Sequence, residues 1–177
     1  MARPKAFEVD QALDQAMRTF WRRGYRGTSV RDLCEAMAIG SGSFYATFGS
    51  KGELFRLALS RYLRSIGLTP GPGAIRGYFD RVIADRDPTG CLLVGSAVEH
   101  DALEPDAQKL VSAGLAGLED FFWHCLRGRA GARQDARVLA TTVAGLHVLH
   151  RTGADREQLR AIADRLLSAL DIPPAVE

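Results

Sequence analysis

The side chains of this 177-residue chain that are able to do covalent or metal chemistry are few and scattered. Cys34, Cys91 and Cys125 are odd in number, far apart and free of CxxC spacing, which argues against a disulfide framework and a structural zinc site. A reducing compartment fits them. Cys91 as a thiol that senses oxidants or electrophiles would require exposure and a lowered pKa; a buried structural cysteine is the plainer reading. His147 and His150 lie one helical turn apart and His124 lies in the preceding helical pattern, too sparse a set to predict a metal site. There is no GxSxG elbow, Walker loop, HExxH pair or dinucleotide fingerprint, and Gly40-x-Gly42 lacks a preceding strand. Neither an enzyme nor a cofactor is expected.

Charge points elsewhere. The formal net charge is only +2, but residues 1–51 hold eight basic side chains against five acidic ones, while the remainder holds 15 against 16. The positive excess therefore lies wholly at the N-terminal end, where it suits a polyanionic partner. A composition of 46% hydrophobic and 25% charged residues is that of an ordinary globular protein and excludes disorder as the default. Met1–Asp10 carries no apolar leader core, and no apolar run approaches the roughly 18 residues of a membrane span, so a cytoplasmic protein without a membrane partner is predicted.

The elements that must position these residues are all helical. Leu13, Ala16, Met17, Phe20 and Trp21 follow the i, i+3, i+4, i+7, i+8 spacing of a helix with one buried stripe, stopped by Gly24. The pattern restarts at Val30, Leu33, Cys34 and Met37, with Thr28 placed to cap a helix of about three turns. Ala38 to Gly42 supplies turn chemistry; Phe44, Tyr45 and Phe48 give the apolar side of a very short third helix, interrupted by Gly49. Ser50 and Glu53 predict a capping box opening a fourth helix, apolar over two rows from Leu54 to Ile66. Beyond Pro70-Gly71-Pro72-Gly73 the helical period returns at Ile75, and Asp87-Pro88-Thr89-Gly90 marks another turn. Cys91 to Val98 reads as a buried helix, since no strand elsewhere offers it a partner. A long helix runs from about Pro105 to Leu126, Arg127 to Arg133 reads as a flexible charged link, and two further helices end at Pro173-Pro174. The expected fold class is all-α, with about nine helices, no strand and no internal repeat.

Two short helices joined by a glycine-containing turn, behind a longer supporting helix, form a helix-turn-helix arrangement. A helix entering a DNA major groove must be slim at its exposed end, and Gly42, Ser43, Ala46 and Thr47 are small enough. The residues also carry a likeness. Gly24-Tyr-Arg-Gly-Thr28-Ser29-Val30, Gly42-Ser-Phe44-Tyr45-Ala-Thr-Phe48-Gly-Ser-Lys51 and Leu54-Phe55 resemble, in order and spacing, the N-terminal signature of TetR-family transcriptional regulators. Gly90-Cys91-Leu-Leu-Val94 with Ala97-Val-Glu99 resembles a segment found in one subset of that family and identifies no ligand.

That resemblance implies a helix-turn-helix DNA-binding domain over residues 1–50 and a ligand-binding and dimerisation domain over 51–177. It implies phosphate contacts from Thr28, Ser29, Tyr45 and Lys51, and base-edge contacts from Ser41, Gly42, Ser43 and Thr47. Two departures bear on affinity: Gly40 stands where the family usually has a capping Ser, and Ser41 is small and neutral where a longer polar or basic residue is common. Arginine readout of guanine from this helix is thus missing, which shifts weight to phosphate contacts, to Arg31 and to the basic N-terminal arm. By the same likeness the partners are double-stranded operator DNA, a small-molecule effector of unknown identity, and a second copy of the chain through the last two helices. Tyr62, Phe79, Cys91, Phe121, Phe122 and His147 are the candidate pocket lining, although apolar residues at helical spacing are usually plain core. The function expected is a ligand-responsive dimeric repressor on a near-palindromic operator. The alternative is a helical ligand-binding or thiol-sensing protein with weak DNA specificity.

Overall fold

A computed structural model describes the backbone of residues 6–87 and 89–173 and their side chains from Val9 onward. Arg3 and Lys5 of the basic arm, Pro88 of the predicted turn and Pro174 lie outside the described residues. Among those described, every regular element is helical: α1 (Ala6–Arg23), α2 (Val30–Met37), α3 (Ser41–Phe48), α4 (Lys51–Ile66), α5 (Ala74–Ala84), α6 (Leu92–Val98), a short 3-10 turn at His100–Ala102, α7 (Pro105–Cys125), α8 (Ala132–Arg151) and α9 (Arg156–Ala169). The all-α expectation holds, and Cys91 to Val98 is helical from Leu92 as the missing strand partner required, but it is buried only in part, since Val98 at its end is 82% exposed.

The chain forms two compact units, Met1–Gly67 with Gly95–Ala113, and Leu68–Val94 with Gly114–Glu177. In the first, α1 packs on α2 and α4, and α3 on α2 and α4. The stripe Ala12, Ala16 and Phe20 is buried, and Phe20 meets Phe55 of α4 edge-on at 5.0 Å. Burying a side chain of that size stabilises by roughly 1.5–3 kcal/mol. Trp21 and Tyr62 make a second edge-on contact between the same two helices, at 4.9 Å. Arg61 of α4 grips Asp14 of α1 with two N–H groups, at 2.6 and 3.2 Å, and reaches Asp10 at 3.0 Å. These ties place α4 with the three preceding helices, so this packing unit runs past residue 50.

The second unit pairs α5 with α8 and α9, and α8 with α9. Its centre is aromatic: Tyr78, Phe79, Phe121 and Phe122 are all buried, with Phe121 and Phe122 ring centres 5.0 Å apart and Tyr78 edge-on to Phe122 at 5.7 Å. Arg76 closes α5 onto α9 through Asp164 at 3.1 Å, and Arg160 pairs with Asp80.

Local details correct several expectations. The cap of α2 is Ser29, whose hydroxyl accepts from the Asp32 amide at 3.1 Å while the Asp32 carboxylate accepts from the Ser29 amide at 2.8 Å. Thr28 is not the cap; it is buried and donates its hydroxyl to the Gly24 carbonyl at 2.6 Å. Helix α2 spans eight residues, little more than two turns rather than three. Only half the box at Ser50 forms: its hydroxyl accepts from the Glu53 amide at 3.0 Å, but the Glu53 carboxylate turns to Arg56 at 2.6 Å because a full charge on the same face outcompetes an amide. Residues 127–133 are not a free link, since Arg129 donates to the Leu170 carbonyl at 2.5 Å and Arg133 stacks on Trp123 at 4.2 Å. In α8 the buried imidazole is His147, whereas His150, one turn on, is only partly covered.

Candidate nucleic-acid interface

Helix α3 can expose so much of itself because only two of its eight residues are needed to hold it. Phe44 and Phe48, one turn apart, are buried; Ser41, Gly42, Ser43, Tyr45, Ala46 and Thr47 are exposed. The exposed side therefore carries three hydroxyls of small side chains, the methyl groups of Ala46 and Thr47, and no charge. Ser43 and Thr47, four residues apart, line one groove together with Ala12, Gln15 and Ile39. Tyr45 is 55% exposed although its ring rests edge-on against Phe44 at 5.1 Å, so the phenol points to solvent from a braced ring. No side chain caps α3: Gly40 stands at the cap, leaving the first backbone N–H groups of the helix to other acceptors.

The supporting residues differ in availability. Ser29 and Arg31 are exposed at the start of α2, whereas the Thr28 hydroxyl is enclosed and already donated. Arg31 pairs with Glu35 one turn along at 3.0 Å, with side chains 88% and 65% exposed. An ion pair so open to water contributes little, so Arg31 can exchange Glu35 for a phosphate at small cost. Asp32 holds a negative charge at the same helix start: its bonds from the Ser29 hydroxyl and amide, reinforced by Arg23 at 2.6 Å, bring its pKa down to about 2. Lys51, the first residue of α4, sits with its ammonium 4.1 Å from the centre of the Tyr25 ring. Partial burial there lowers its pKa, an effect opposed by the negative charge of Glu99.

The matches to known proteins agree with this geometry. Residues 12–58 match the model for bacterial regulatory proteins of the tetR family. An HTH-type transcriptional regulator of Bacillus subtilis, YezE, is 31% identical over 97% of this chain and 100% of its own length. The chain belongs to the tetR family. The HTH-type transcriptional repressor ComR of Escherichia coli is 29% identical over 93% of this chain and 90% of its own. Among solved structures, a cysteine-substituted TetR-family regulator, CifR, complexed with 26-base-pair operator DNA, superposes with a TM-score of 0.78 at 31% identity, covering 95% of this chain and 99% of that one.

As a TetR-family protein it is a DNA-binding transcriptional regulator and not an enzyme. Its candidate pocket residues fall in both packing units. Phe79, Cys91, Phe121, Phe122 and His147 are buried in the second, where Phe79 and Phe122 lie 6.2 Å apart. Tyr62 is in the first, against Trp21. Burial pushes the Tyr78 phenol up to about 12 and His147 down to about 4. Sequence reasoning placed Glu99 only in a family-like segment and passed over Glu104. Glu99 accepts from the Tyr25 and Arg26 amides and Glu104 lies against Gly52, contacts that span more than 70 and more than 50 residues respectively. No local spacing signals such a contact.

Proposed function

We propose that this TetR-family regulator is a homodimeric, ligand-responsive repressor of the cytoplasm, which holds a near-palindromic operator until a small molecule releases it. The observation that carries the reading is the exposed face of α3, slim and uncharged, on a helix pinned by Phe44 and Phe48. In this reading Ser41, Gly42, Ser43 and Thr47 meet base edges, while Ser29, Arg31, Tyr45 and Lys51 meet phosphates. Thr28 contributes by fixing the turn before Ser29. Residues 1–50 form the DNA-binding domain in this reading, with Lys51 just past its border adding a phosphate contact, and residues 51–177 form the effector and dimer domain. The repressor sign is supported by relatives named as repressors, ComR and BdcR of Escherichia coli.

Dimerisation through α8 and α9 is supported by apolar side chains that their own unit leaves uncovered. Val138 and Leu149 lie on one face of α8, with Val148 beside them, and are 40–48% exposed. Gly145 lies between, with open space where a Cβ would stand, so the face permits a close helix crossing. On α9, Ile162 is 39% exposed and shares a face with Leu166 and Ala169. A twofold dimer would hold its recognition helices about 34–36 Å apart, matching successive major grooves. An effector binding among the aromatic side chains of the second unit would act by favouring a dimer of different spacing.

The test is selection of bound fragments from genomic DNA, followed by binding of the selected duplex across a salt series. A near-palindromic site and a steep inverse dependence on salt are expected. Indifference to every duplex at low salt would end the reading. The thiol-sensing alternative attaches to Cys91, which is buried and 8% exposed, so the geometry favours a structural role.

A further inference from the structure

Glu99 follows the last residue of α6, and its carboxylate accepts two consecutive backbone N–H groups from the turn between α1 and α2. The Tyr25 amide donates at 2.6 Å and the Arg26 amide at 3.0 Å. Gly24 makes room for this. Its φ of +75° suits glycine, and a Cβ there would lie 2.7 Å from a Glu99 oxygen. Consecutive N–H groups after such a residue form a small anion-holding concavity, and a carboxylate fills it with charge-assisted bonds. Five residues further on, Glu104 presses on the start of α4: a Cβ at Gly52 would lie 2.0 Å from its carboxylate.

The position of this grip matters more than its strength. The two held amides immediately precede Gly27, Thr28 and Ser29, and the Tyr25 ring between them carries the Lys51 ammonium at 4.1 Å. One carboxylate therefore fixes the backbone leading into α2 and, through Tyr25, the side chain that opens α4. Because the bonds go to the main chain, the Arg26 side chain is left exposed. All these residues belong to the same packing unit.

We propose that Glu99 is a positioning residue for DNA binding: by occupying the Tyr25–Arg26 amides it sets the α1–α2 turn and Lys51 in the arrangement that meets two phosphates. This rests on the DNA-binding reading above. Glu99→Gln keeps the length of the side chain, but its amide nitrogen must face one of the two N–H donors, so one bond is lost and a donor opposes a donor. Glu104 acts on the neighbouring helix start and is not required for the argument.

The experiment uses the full chain and the duplex selected by the wild-type protein, with affinity measured by fluorescence anisotropy over a salt series. Backbone amide exchange by NMR is followed alongside. Glu99→Gln is expected to weaken binding about ten-fold, and to reduce the salt slope by about one as a phosphate contact is lost. Asp101→Asn, on the same segment but with a 98% exposed side chain, is expected to bind as the wild type does. In the wild type the Tyr25 and Arg26 amides should exchange slowly, and fast exchange of both would overturn the proposal even if the variant fails to fold. Wild-type affinity and slope in Glu99→Gln would overturn it as well, as would weaker binding with an unchanged slope and unchanged exchange. If wild-type protein binds no duplex, the functional reading fails separately, and slow exchange of the two amides would then leave Glu99 a structural clamp without a DNA role.

Discussion

At the scale of single residues, the interface separates side chains that are spent from those still available. Thr28 is spent: its hydroxyl satisfies the Gly24 carbonyl inside the unit. Thr28→Val is therefore expected to lower stability by about 1–2 kcal/mol, read by denaturant unfolding, through an unsatisfied carbonyl rather than lost volume. Tyr45 and Lys51 are available, one 55% exposed and the other resting on a ring face. Tyr45→Phe combined with Lys51→Ala should weaken binding to all duplexes and flatten the salt dependence by one to two units of slope, while Thr47→Ala should change which sequences are preferred. A double variant with unaltered slope would remove both residues from the interface.

At the scale of elements, the two short helices are held in different ways. Helix α2 has a full capping box, and Ser29→Ala is expected to cost about 0.5–2 kcal/mol in thermal or denaturant unfolding. Helix α3 has no side-chain cap, a saving in bulk at the end proposed to enter a groove. The turn between them contains a surprise: the left-handed residue is Ala38, at φ 54°, although Gly40 follows two residues later. An alanine there carries backbone strain that glycine would relieve, and the gain exceeds the extra freedom glycine lends the unfolded chain. Ala38→Gly is accordingly expected to raise stability by about 0.5–1 kcal/mol, with a correspondingly higher melting temperature. A lower melting temperature would show that Ala38 is better accommodated than its dihedrals imply.

At the scale of the whole molecule, the buried imidazole of His147 makes stability depend on pH. Burial lowers its pKa from 6.5 to about 4, with His150 adding to the effect and Asp85 opposing it. Between those values the unfolded chain takes up a proton that the folded chain refuses, so stability is lost as pH falls from 6.5 towards 4 and levels off below. The shift corresponds to at most about 3 kcal/mol. His147→Gln should flatten the pH dependence of the urea midpoint over that range. Asp32 acts at lower pH: its carboxylate contribution is complete above 3.8 and disappears as pH falls through about 2. The proposed dimer is tested at this scale too. Leu149→Glu should yield monomers in light scattering and lose most operator affinity, because half of a twofold site is then bound at a time.

Sequence alone determined the all-helical class, the succession of helices and the composition of α3, because helix formation depends on spacing and turn chemistry within a few residues. Spacing assigned Phe44, Tyr45 and Phe48 to the inward side of α3, of which Phe44 and Phe48 are buried and Tyr45 is not, and the outward role of Ser41, Gly42, Ser43 and Thr47 came from the family resemblance. Tertiary structure decided the rest. Which of Thr28 and Ser29 caps α2 depended on where the Gly24 carbonyl lay, and the partner of Glu53 on where Arg56 pointed. The grip of Glu99 on Tyr25 and Arg26 required two segments more than 70 residues apart to meet. Local periodicity records which side of a helix is apolar, but not which distant polar group will compete for a hydrogen bond once the helices have packed.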